Sequence, residues 1–85
     1  MNMYSESDKI VPLTQMQSGQ SGVVAGIAGG FGAARRLENM GIRPGKKITK
    51  VSGMFLRGPV TVQVGHTQAS IGFGMASKIM VEPRK

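Results

Sequence analysis

The chain has no cysteine, no tryptophan and a single histidine, His66. Without cysteine there is no disulfide framework, no thiolate metal ligand and no thiol nucleophile. One histidine leaves no His-rich zinc site and no choice of bases for a Ser-His-Asp arrangement. The four aromatics, Tyr4, Phe31, Phe55 and Phe73, are scattered. They supply neither the aromatic-lined groove of a proline-motif reader nor the stacking platform of a single-strand nucleic-acid binder. Acids number four against 11 Lys and Arg. No apolar run approaches the ~18 residues of a membrane span, and the start of the chain lacks the basic-then-apolar profile of a signal peptide. Together these absences predict an intracellular, soluble, non-enzymatic protein, peripheral to the membrane at most, with no cofactor and no assigned metal site.

What is present is glycine, 13 of 85 residues, and a formal charge of +7. The length fits one small domain. Residues 1–12 are polar, hold two of the four acids and end at Pro12, so they read as a flexible tail preceding one domain at 13–85. Leu13 and Met16 suggest a short turn or lead-in strand. The run from Gly22 to Ala28, with Val23, Val24 and Ile27 between glycines, reads as a strand.

From Phe31 to Met40 the spacing predicts a helix. Phe31, Ala34, Leu37 and Met40 recur every third residue with Ala33 beside them, and are read as its buried face; Arg35, Arg36, Glu38 and Asn39 fall opposite. Gly41 is placed to stop the helix in the left-handed conformation, with Leu37 and Ile42 making the apolar contact of that stop. Pro44 and Gly45 then make a turn. Residues 46–51 read as a strand whose imperfect alternation calls for a bulge or strong twist. Val60, Val62 and Val64 alternate with polar residues, Gly65 and His66 make a hairpin turn, and Ala69 and Ile71 return inward. Residues 72–77 read as a turn or single helical turn, and Ile79 and Val81 open a last strand. About five short strands, with one helix (31–40) inserted after the first, predict a mainly β barrel, SH3-like or OB-like, closed to protect its edges.

Several motifs run in order: LTQMQSG at 13–19, Gly22 and Ile27, RLENMGIRPG at 36–45, GPV at 58–60, Ala69-x-Ile71-Gly72 and Ala76-x-x-Ile79-x-Val81. This series resembles the FeoA family, small bacterial proteins of ferrous iron uptake, over about Leu13 to Pro83. The resemblance implies an SH3-like barrel and a partnership with FeoB, the membrane protein that carries a GTP-binding domain. A similar domain closes the DtxR-type iron-dependent repressors. Gly72 and Gly74 stand where many relatives carry charged residues.

Charge is unevenly placed. Arg35, Arg36, Arg43, Lys46, Lys47, Lys50 and Arg57 face only Glu38 within residues 35–57. An acidic protein face, an anionic membrane surface, a nucleic acid or simple solvation each accounts for such a cluster; the scarcity of aromatics disfavours nucleic acid. Gly29-Gly30-Phe31-Gly32 resembles a phosphate cradle but completes no nucleotide motif, so a barrel-to-helix joint is the simpler reading. Met54, Phe55 and Leu56, beside Arg57, either dock a partner or plug the barrel end. The seven methionines form no close repeat and read as packing residues. Arg35 and Arg36, with Met54, Phe55, Leu56 and Arg57, are therefore the candidate partner-binding residues. The function expected is that of an accessory protein that binds and modulates a FeoB-type permease. The alternative is a small basic barrel that binds RNA or DNA.

Overall fold

The computed structural model describes residues 9–52 and 58–84. One antiparallel sheet runs in the order β1-β6-β2-β3-β4-β5, where β1 is Val11–Pro12, β2 Ser21–Ile27, β3 Lys47–Ser52, β4 Val60–Val64, β5 Thr67–Ile71 and β6 Ile79–Arg84. A ten-residue helix, α1 (Gly30–Asn39), follows β2, and a single turn, α2 (Phe73–Ala76), precedes β6. The mainly β architecture and the single inserted helix match the reading from sequence. The sheet has one strand more than expected, because Val11 and Pro12 pair with Val81 and Met80. Leu13–Gln15 is a 3-10 turn that tucks Leu13 and Met16 into the core.

Alternation sends Val24, Ile48, Val60, Val62, Ile71, Ile79 and Val81 inward, where Leu13, Leu37 and Ile42 complete the core. Burying a side chain of this size contributes about 1.5–3 kcal/mol. The central strand β2 lies unusually close to β6. A Cβ built on Gly22 would stand 2.5 Å from Val81 Cγ1 and 2.7 Å from the Glu82 carbonyl oxygen. Only glycine permits this approach, which lets one short sheet curl tightly enough to enclose its own core.

The register slips between Lys50 and Ser52, which places the irregularity anticipated in 46–51 at Val51. Val51 is turned out to 38% exposure. On the other side of the core α1 ends in a Schellman arrangement. The Ile42 N–H donates to the Leu37 carbonyl and the Gly41 N–H to that of Glu38, both at 2.9 Å. Gly41 has φ +86°, and Leu37 and Ile42 are fully buried. Pro44 and Gly45 turn the chain into β3, with the Lys46 N–H donating to the Arg43 carbonyl at 3.1 Å.

One expectation about α1 is corrected. Phe31, expected on the buried face, is 95% exposed. At 100° per residue, six positions carry Phe31 about 120° away from Leu37 around the helix. The face that packs is Ala33 and Leu37, an i,i+4 pair, with Ala34 and Met40 half-buried at its sides.

Candidate partner-binding face

α1 leaves β2 through two glycines in left-handed conformation, Gly29 at φ +98° and Gly30 at φ +84°. That sharp reversal brings Ala33 and Leu37 onto the barrel and turns Phe31, Arg35 and Arg36 outward, all three exposed. Phe31 and Arg35 are one helical turn apart, neighbours on the outer surface. They border, with Gly32, a shallow depression of about 330 Å³. Arg36 lies on the other flank of the same helix. One further turn along, Glu38 faces Arg43 at 4.0 Å, with both side chains more than half exposed. This pair is worth little to stability, but it withdraws Arg43 from the pool of unpaired cations. The helix thus presents a bare aromatic ring beside a guanidinium, with a second guanidinium close by. Aromatic and Arg side chains are enriched in the buried cores of protein interfaces.

Among the described residues the basic side chains between 35 and 50 do not form one patch. Arg35 and Arg36 belong to α1, whereas Lys47 opens β3 and Lys46 immediately precedes it. Lys50 turns inward beside Ile48 and is only 3% exposed. Its ammonium donates to the carbonyl oxygens of Met16 at 2.5 Å and Thr14 at 3.3 Å. Burial pulls its pKa below the ordinary lysine value of 10.5. The sequence signal was there: Ile48 and Lys50 share strand parity, so an inward Ile48 requires an inward Lys50 unless the bulge falls between them. Met54, Phe55, Leu56 and Arg57 lie outside the described residues. The contact role read for them is therefore separate from the geometry of α1.

Among the described residues no three His, Asp or Glu side chains converge as a metal site. No helix among them is long and apolar enough to cross a membrane.

The FeoA domain family matches residues 11–83. A Methanocaldococcus jannaschii protein provisionally named Fe(2+) transport protein A is 38% identical over 71 residues, 84% of each chain. A crystal structure of an iron uptake regulatory protein, FeoA, superposes with a TM-score of 0.81 at 37% identity, over 89% of this chain and 99% of the other. FeoA of Stenotrophomonas maltophilia, solved with zinc and described as a prokaryotic SH3 domain protein, gives a TM-score of 0.72 at 25% identity. That match covers 86% of this chain and 94% of the other.

Proposed function

The chain belongs to the FeoA family, and from that premise we propose that it is a cytoplasmic accessory protein of ferrous iron uptake that binds a FeoB-type, GTPase-bearing permease and modulates it without catalysing a reaction. The observation that carries the contact surface is Phe31, 95% exposed one turn from the exposed Arg35. A fully solvated phenyl ring gains nothing from folding, whereas covering it would add about 1.5–3 kcal/mol to association. The neighbouring guanidiniums favour a partner face that is acidic and steer its approach. Arg36 and the segment 54–57, with Phe55 and Leu56 beside Arg57, extend the contact in this reading.

Co-purification of the full-length permease with the tagged chain tests the proposal. Phe31→Ser plus Arg35→Glu is expected to abolish capture while the circular-dichroism melt stays unchanged. Phe55→Ala plus Leu56→Ala measures the contribution of the second segment separately. If neither double variant weakens capture, the contact face assigned here is wrong. If the wild-type chain fails to capture the permease but binds single-stranded RNA at near-physiological salt, the nucleic-acid alternative replaces the partnership itself.

A further inference from the structure

At the end of β2 away from α1, roughly 20 Å along a seven-residue strand, the outer face of the sheet carries a second and different feature. Cross-strand register lines up Arg84, Ser21, Thr49 and Gln63 on adjacent strands. The hydroxyls of Ser21 and Thr49 hydrogen-bond at 2.8 Å. Residues 17–20 form one wall of an open groove of about 510 Å³, which Ser21, Lys47 and Arg84 complete.

The wall is held in place by the chain around Lys50. The Gly19 N–H donates to the Lys50 carbonyl at 2.6 Å and the Lys50 N–H to that of Gln20 at 2.9 Å. The buried Lys50 ammonium grips Met16 and Thr14 just upstream. Within the loop, Gln20 Oε1 accepts from the Gln17 N–H at 3.1 Å. The groove is thus shaped before any ligand arrives.

Its two cations are uncommitted: the side chains of Lys47 and Arg84 form no ion pair among the described residues. Glu82, on the same face of β6, does not line the groove. Lys47 lies opposite Val23 and Arg84 opposite Ser21, on either side of β2. From strand spacings their Cα atoms are about 12 Å apart, a gap that two long side chains can close on one bound group. Two positive charges, a planar five-donor fork and nearby Ser18 and Ser21 hydroxyls match a tetrahedral, doubly charged oxyanion better than a single carboxylate.

We propose that this groove binds a small ligand through a phosphoryl group, with Arg84 and Lys47 clamping its charge, the Ser18 hydroxyl as a neutral donor, and the Ser21 hydroxyl as a second once Thr49 donates to it. The site is distinct from the α1 face and does not depend on the partner assigned to that face.

The test is a titration of the full chain with inorganic pyrophosphate at constant ionic strength, followed by amide chemical shifts. The proposal expects saturable shifts confined to Gln17–Ser21, Lys47 and Arg84. Lys47→Gln plus Arg84→Gln should weaken binding about tenfold or more, the loss of at least one charge-assisted hydrogen bond. Arg35→Gln, at the other end of β2, should leave the affinity unchanged. Shifts that rise linearly and equal those given by sodium sulfate would overturn it, as would full affinity in the Lys47, Arg84 double variant. An oligoglutamate peptide moving the same amides at lower concentration than pyrophosphate would also overturn it, giving the groove to an acidic protein segment.

Discussion

The Lys50 ammonium donates to the Met16 carbonyl at 2.5 Å, joining two points 34 residues apart in the chain. With the longer bond to Thr14 it fastens the 3-10 turn to β3. It also turns what the sequence offers as a surface charge into an interior fitting. Replacing it by Met keeps the apolar stem but leaves two carbonyls without their donor. An unpaired buried acceptor costs about 1–3 kcal/mol, offset in part by no longer desolvating a charge. Lys50→Met should lower the unfolding free energy by about 1–2 kcal/mol in urea denaturation. Lys50→Ala, which also empties the stem's place, should lower it by more.

Burial depresses the Lys50 pKa below 10.5. Between the lowered folded value and 10.5 the unfolded chain therefore binds more protons than the folded one, and stability rises with pH across that window. The penalty on the charged form is fully present below the folded value. Denaturation midpoints collected as pH approaches 10.5 should show this upward contribution in the wild type relative to Lys50→Met, which lacks it.

The close approach of β2 to β6 makes Gly22 the most sensitive backbone position described. In Gly22→Ala the new methyl overlaps Val81 Cγ1 and the Glu82 carbonyl, and the carbonyl, being backbone, cannot withdraw without moving the strand. Overpacking of this kind costs about 2–3 kcal/mol. Thermal unfolding should show a drop of roughly 10–20 °C for a domain of this size.

At the end of α1 the strain has a different origin. A Cβ on Gly41 meets only Val64 Cγ1, at an ordinary 3.8 Å, so space is available and the φ of +86° is the obstacle. Gly41→Ala should cost about 1–2 kcal/mol. Gly41→Asn should cost less, because Asn tolerates the left-handed region. Equal losses in the two variants would point to a steric rather than a conformational requirement.

Local chemistry made most of the fold legible. The valines of β4, the turn at Pro44 and Gly45, and the helix stop at Gly41 are decided by residues adjacent in sequence. Two side chains differ from their sequence reading because their environment is set at long range. Phe31 belongs to an apolar series, but the glycine reversal before α1 fixes the rotation of the helix against the barrel and leaves the ring outside. Lys50 stands in a run of cations, yet its acceptors are carbonyls of a turn more than thirty residues earlier. The groove at Lys47 and Arg84 is likewise invisible in the sequence, since strand pairing, not sequence proximity, brings the two cations to either side of β2.

The central claim is that α1 presents a contact face for the permease, and one measurement addresses it most directly. The dissociation constant between the chain and the detergent-solubilised, full-length permease should be determined for the wild type and for Phe31→Ser plus Arg35→Glu. Both positions are exposed, so folding stability should change by no more than about 0.5 kcal/mol per substitution. The account predicts at least a tenfold weakening of binding, and a wild-type affinity that falls as salt rises. An unchanged dissociation constant in the folded double variant would contradict it.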